Sequence, residues 1–203
     1  MRRVALLGLL PILLAACGGP AQPVWAPDEV VKSAAYKSGG PPMLTLFTVI
    51  NRQSGSGGHS ALMISGEERI LFDPAGSFAV SFVPERNDVL FGMSERALAV
   101  YIDYHARQTW DVRIQEVEVT LAQARAAAQL AKSYGAVPQA QCALSITRIL
   151  AQVPGFEGVG VTYFPKALAA DIAAFPGATD RLVTDDDADK NHNVLIEASL
   201  VGG

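Results

Sequence analysis

A chain of 203 residues, half of them hydrophobic and 18% charged, is long enough for one domain with a substantial core and too apolar to stay disordered. Its formal net charge of −4 provides no basic footprint for nucleic acid, and two cysteines cannot hold a disulfide framework together. Beyond the N-terminal segment no run of about 18 apolar residues occurs, so nothing there reads as a membrane span.

The chain opens like a processed address. Arg2 and Arg3 form a positive start, residues 4–14 are apolar but broken by Gly8 and Pro11, and Leu14-Ala15-Ala16 brings small residues up to Cys17. This grammar resembles the bacterial lipoprotein box. The resemblance implies that residues 1–16 are a signal peptide, removed by cleavage before Cys17, and that Cys17 carries thioether-linked lipid. Acyl chains worth about 0.8 kcal/mol per buried CH2 would hold the protein on a membrane. Gly18, where a retention aspartate would stand, implies the periplasmic face of the outer membrane in the bacterial cell envelope. An ordinary signal peptide or an uncleaved anchor is the alternative. Loss of Arg2 and Arg3 leaves a more acidic mature domain, so charge adds nothing to membrane attachment.

Residues 17–42, rich in glycine, proline and alanine, read as a lipid-anchored tether, with Trp25, Val30 and Val31 able to dock part of it. A single domain over 43–203 follows. Residues 43–50 are β-branched and apolar, a strand buried on both faces. The glycine-rich stretch 51–58 is a loop, and 60–64 with 69–73 form a hairpin around residues 65–68. Residues 77–83 add a strand or an edge. Ser94 caps an amphipathic helix running to about residue 106. Alternation over 112–119 places Val112, Ile114, Val117 and Val119 near a core with one slip of register. Thr120 caps a helix that stops near Gly135, a second helix starts around residues 140–142, and a third follows Pro165. Asp185, Asp186 and Asp187 make a solvated turn, and residues 194–201 are a closing strand. This order gives an α+β fold, an antiparallel sheet with helices packed on one side of it.

With Cys17 lipidated, Cys142 is the one remaining thiol. Its predicted place in a helix first turn, where backbone N–H groups are unpaired, favours thiolate; a buried small hydrophobe is the plainer alternative. Three histidines are available as a base. His192 sits in an acidic tail and His105 late in a helix, both with surface roles. His59 leads an apolar strand after Gly55, Ser56, Gly57 and Gly58, whose lack of side chains leaves room for a ligand beside the ring. A thiol nucleophile with a histidine base needs a third group to orient the ring. Asp73 on the return strand is the candidate. A three-residue turn puts it on the same face as His59, and a two-residue turn puts it on the other. Asp88 and Asp103 are the substitutes. No cofactor is expected, and one thiol with three scattered histidines is too few for a closed zinc site.

A strand-leading His59 followed by Ser60 and Ala61, a return strand ending in a polar residue, and much later a cysteine opening a helix resemble the circularly permuted NlpC-like branch of the papain-like superfamily. That branch includes lecithin:retinol acyltransferase-like proteins and bacterial cell-envelope hydrolases. The resemblance covers about residues 43–165. It implies a permuted papain-like fold with Cys142 as nucleophile, His59 as base and Asp73 as third residue, acting on amide or ester bonds of peptidoglycan peptides or lipids. The cysteine's neighbours, Gln141 and Ala143, are not the polar pair usual in the acyltransferases. A non-catalytic lipoprotein that keeps the fold and binds a partner is the other reading.

Overall fold

The computed structural model describes residues 19–201; the expected signal peptide and Cys17 lie outside the described residues. In chain order the elements are α1 (Asp28–Ala34), β1 (Met43–Asn51), β2 (Gly57–Ser65), β3 (Arg69–Phe72), β4 (Glu85–Arg86), β5 (Val89–Phe91), α2 (Glu95–His105), β6 (Trp110–Glu118), α3 (Leu121–Tyr134), α4 (Cys142–Leu150), α5 (Pro165–Ala173), β7 (Thr179–Val183) and α6 (Asn191–Val201). The seven strands form one antiparallel sheet in the order β4-β5-β3-β2-β1-β6-β7. The fold class is therefore α+β.

Local signals explain most of these boundaries. The Ser94 hydroxyl accepts the Ala97 N–H at the start of α2. Thr120 and Gln123 cap α3 reciprocally. Pro165 opens α5, where its missing N–H costs nothing. Asn87 and Asp88 both have positive φ, the backbone of a two-residue hairpin turn joining β4 to β5.

Helices cover both faces of the sheet, not one. On the first face Leu44, Leu46, Leu62, Ile64 and Phe72 pack against α3, α4 and α5. On the second, Phe47, Ala61, Met63 and Leu71 pack against α2, α6 and the buried Phe78, Val80 and Val83. This two-sided burial also removes the slip of register expected in β6. Its pairing with β1 runs without a break from Met43↔Glu118 to Asn51↔Trp110. Val112 and Ile114 serve the second face, and Val117 and Val119 the first.

Two other expectations are corrected. Residues 77–83 make no strand; three of their apolar side chains fill the second core from an irregular segment. Residues 194–201 belong to helix α6, where only Leu195 is buried, while Ile196, Leu200 and Val201 face outward. The sheet edge is taken instead by β7, an exposed strand zipped to β6 by the Arg113–Asp180 pair.

Residues 19–36, expected as a tether, are attached to the domain. Val24 and Ala26 exchange backbone hydrogen bonds with Asn87 and Glu85, and Trp25 lies under the Arg86 guanidinium. Arg86 also pairs with Asp28, Val31 packs on the first core, and the Tyr36 carbonyl accepts the Arg69 N–H. At its start the Gly19 carbonyl accepts the Gln139 N–H, three residues before Cys142. Among the described residues no helix is long and apolar enough to cross a membrane.

Candidate active site

His59 stands where the β1–β2 ladder is interrupted. Val49 pairs with His59 and Ile50 with Gly57, so Gly58 is the extra residue of a bulge that re-aims the neighbouring side chain. The room left by the two glycines is filled by the protein itself. A Cβ on Gly58 would sit 2.6 Å from the Trp110 ring, and one on Gly57 would sit 2.8 Å from Pro165. The His59 side chain keeps 17% of its surface accessible.

The turn after β2 decides where Asp73 goes. Ser65 pairs with Arg69 across three intervening residues, and Leu62 pairs with Phe72, so the register carries Asp73 onto the face of Ala61 and His59. His59 Nε2–H donates to Asp73 Oδ1 at 2.7 Å, and the wholly buried Tyr101 hydroxyl donates to the same oxygen at 2.9 Å. Asp73 is itself 3% exposed. Burial alone would push its carboxyl up. The charge and hydrogen bond of His59, the more distant His105 and the Tyr101 hydroxyl hold it below the usual range instead.

Asp73 has glycine as a close neighbour for a steric reason. A Cβ on Gly76 would lie 1.9 Å from Asp73 Oδ2, while the Gly76 N–H donates to the Asp73 carbonyl. Gly76→Ala is therefore expected to displace the carboxylate, lowering stability by about 1–3 kcal/mol and slowing Cys142 alkylation at neutral pH. Urea unfolding followed beside the alkylation rate checks both effects.

Cys142 is the first residue of α4 and is 7% exposed. Its helix covers the opposite face of the sheet, but the helix start reaches β2 at a place where β3 has already ended. Continuing the register past Leu62↔Phe72 sets Ser60 opposite Pro74, and the Ser60 N–H is one of the groups that favour the Cys142 thiolate. The Ala143 N–H, in the first turn of α4, and the His59 ring favour it as well. Burial disfavours the thiolate, yet the His59 hydrogen bond and charge, with those two N–H groups, bring the thiol below its ordinary value. For His59 burial again opposes the charge, but Asp73 and Cys142 raise it to about 10. The two shifts together favour a thiolate–imidazolium pair at neutral pH. With Nε2 committed to Asp73, Nδ1 is the ring nitrogen left for the thiol proton.

Backbone strain gathers on both sides of this group. Ala75, two residues after Asp73, and Ala140, two before Cys142, both adopt left-handed φ values of 56° and 64°. Asp88 braces the two segments: its Oδ2 accepts the Ala75 N–H at 3.2 Å and the Val137 N–H at 2.7 Å. Asp88 thus supports the site without touching His59. Asp103 pairs with Arg107 and takes no part.

No family model, curated protein or solved structure matches the chain. The site has to be read from its own geometry.

His105 is the residue whose role the sequence hid. Its ring lies parallel to His59, with centroids 5.8 Å apart and planes 7° apart, and it packs on Tyr101 and Tyr104. Nδ1–H donates to the Tyr101 carbonyl at 2.9 Å, which fixes the tautomer. Burial, with the like charge on His59, lowers its value to about 4 despite the attraction of Asp73. Helical spacing was the available signal, since Tyr101 and His105 are one turn apart, but nothing local said which face of α2 would meet His59. His192 is exposed on α6. Among the described residues Asp103, Asp185 and Asp187 come close enough to share a cation, but Arg107 already pairs with the first and the last.

Cavities adjoin the site on either side of residues 75–77. One of about 280 Å3 opens on His59 and His105; another of about 470 Å3 runs between residues 20–24 and the loop carrying Val137 and Gln139. A larger one of about 550 Å3 lies away from the thiol, between α3 and the turn at residues 66–68.

Proposed function

We propose that the protein is a cysteine hydrolase or acyl-transfer enzyme acting on an amide or ester bond. The observation that carries this reading is a single imidazole hydrogen-bonded to a buried carboxylate and coupled to a helix-start thiol whose ionised form it favours. A structural cysteine needs neither partner.

The chemistry follows from the geometry. His59 holds the thiol proton as imidazolium while Asp73 fixes its ring. The Cys142 thiolate attacks the substrate carbonyl carbon, and the carbonyl π pair moves onto oxygen. The unpaired backbone N–H of Cys142, in the first turn of α4, is placed to stabilise that oxyanion. Collapse of the tetrahedral intermediate breaks the bond to the amine or alcohol, which leaves with the His59 proton. A water or an acceptor hydroxyl then attacks the thioester, giving its proton to neutral His59, and the thiolate is released.

Three features support placing the chain in the permuted papain-like group. The histidine strand precedes the cysteine helix, the sheet is antiparallel, and the third polar residue directly follows the return strand, next to the histidine. The lipoprotein-like N-terminal sequence supports an enzyme of the bacterial envelope, anchored through lipid on Cys17, with peptidoglycan peptides or acylated lipids as its proposed substrate classes. Attachment of Gly19 next to the Cys142 loop would then hold the site close to the membrane surface.

The direct test is trapping the acyl-enzyme. Incubation with p-nitrophenyl acetate, followed by rapid acid quench and mass spectrometry, should place one acetyl group on Cys142 and none on the Cys142→Ala protein. No adduct on Cys142, with a folded protein, would leave the non-catalytic binding lipoprotein as the reading.

A further inference from the structure

The cavity of about 280 Å3 beside His59 has a composition that the acyl-transfer chemistry leaves unused. His59, Ser77, Tyr104, His105, Trp110 and Asn191 line it, and the remainder is valine, alanine and glycine. No lysine, arginine, aspartate or glutamate contributes. At this size, just under the about 300–1,000 Å3 of sites for drug-sized ligands, it holds one small ring and not an extended chain.

Its hydrogen-bonding capacity runs in both directions. His105 gives Nδ1–H to the Tyr101 carbonyl, so Nε2 carries a lone pair, and no described residue donates to it. Asn191 gives one Nδ2–H to the Tyr104 carbonyl, which leaves Oδ1 as a second acceptor and the other Nδ2–H as a donor, both without a described partner. Neither acceptor is among the fully buried polar atoms left without a partner, so both remain open to a ligand. Beside these groups, the Ser77–Tyr104 hydroxyl pair uses one proton between its members at 2.8 Å and has one to spare, and the Trp110 indole N–H has no described acceptor. His59 gives its Nε2–H to Asp73, and the proposed chemistry commits its other nitrogen to Cys142. A ligand there must both give and take hydrogen bonds, must carry no charge, and must pack C–H surface on aromatic rings. A carboxylate fails on the first two counts, and an isolated amide carbonyl fails on the first. A pyranose meets all three.

We propose that this cavity is a subsite for an uncharged sugar ring of the substrate or acyl acceptor, held by His105 Nε2 and Asn191 Oδ1 against Tyr104 and Trp110. The ring is the moiety whose hydroxyl or attached nitrogen exchanges a proton with His59. Only that last assignment rests on the acyl-transfer reading; binding of the sugar does not.

The test uses the Cys142→Ala protein, so no chemistry intervenes, in a Trp25→Phe background that leaves Trp110 as the reporting indole among the described residues. Methyl β-D-glucopyranoside should change Trp110 emission saturably in the millimolar range. His105→Ala and Asn191→Ala, each verified as folded by circular dichroism, should each weaken that binding by about five-fold or more. N-methylacetamide and acetate at equal concentration should produce no saturable change. The proposal is overturned if the glucoside gives no saturation, if the amide or acetate binds as well, or if both variants bind like their parent. Sugar binding together with an unreactive Cys142 would preserve the subsite and remove the catalytic reading.

Discussion

Alkylation of Cys142 by iodoacetamide is expected to reach its plateau well below the pH at which an ordinary thiol does, and to lose that behaviour in His59→Ala. A thiol with a pKa of about 8.5 is about 0.3% ionised at pH 6. Cys142, beside a His59 imidazolium and two backbone N–H groups that lower its value, should carry a larger thiolate fraction there. A lower-pKa thiolate is intrinsically less nucleophilic, which removes part of the gain. The expected advantage over His59→Ala at pH 6 is therefore about 10–100-fold. His59→Gln guards against the possibility of a folding defect in the alanine variant, since glutamine keeps a polar group beside the Asp73–Tyr101 bond. Equal rates across wild type and both folded variants would show that His59 does not ionise the thiol.

Much of this couple was legible in the sequence because its signals are local. Ser94, Thr120 and Pro165 mark helix starts through backbone groups one to three residues away, and a cysteine just past a loop falls naturally in a first turn. The position of Asp73 hung on one integer, the length of the turn between β2 and β3, and no residue in Ser65-Gly66-Glu67-Glu68 dictates three over two. What escaped the sequence was long-range. Asn191 and Tyr104 meet only because α6 packs on α2, and the apolar Val194, Leu195 and Ile196 look like a strand until that helix finds its partner. The glycines before His59 were read as space for a ligand. They are instead what lets Trp110 and Pro165 close over the bulge, a close approach set by residues far along the chain. The alternation in β6 misled for a related reason: a strand buried on both faces carries two interleaved patterns, and reading them as one demands a slip that does not exist.

Asp73→Asn should cost more than any surface change, and the second histidine of the site shows why. His105 lies parallel to His59 in the same buried aromatic setting but has no carboxylate on its ring, and burial takes it to about 4. His59, with Asp73 on Nε2, stands at about 10. Removing the negative charge should send His59 towards the behaviour of His105, so that the thiol loses its counter-ion and alkylation at pH 7 falls to the level of His59→Ala. Asp73→Ala, which orphans both the Tyr101 hydroxyl and the ring nitrogen, should lower stability by about 3–5 kcal/mol; the asparagine, which fills the same space, should lose less. The pH dependence of that loss is best measured in a Cys142→Ala background, where the opposite titration of the thiol no longer offsets that of the ring. Asp73 is depressed in the fold, so its contribution is present above its unfolded value of about 3.9 and disappears as pH falls through the lower folded one. His59 is raised, so its contribution is complete below about 6.5 and declines as pH climbs towards its folded value. The difference in unfolding free energy between the parent and its Asp73→Asn derivative should therefore grow as pH falls below the folded value of His59, keep growing from about pH 6.5 to about 4 because the derivative's folded ring refuses the proton that its unfolded chain takes up, and shrink again below about pH 4. A difference independent of pH from 3 to 9 would mean that Asp73 acts through shape alone, and the charge pair at the centre of the proposed mechanism would have to be abandoned.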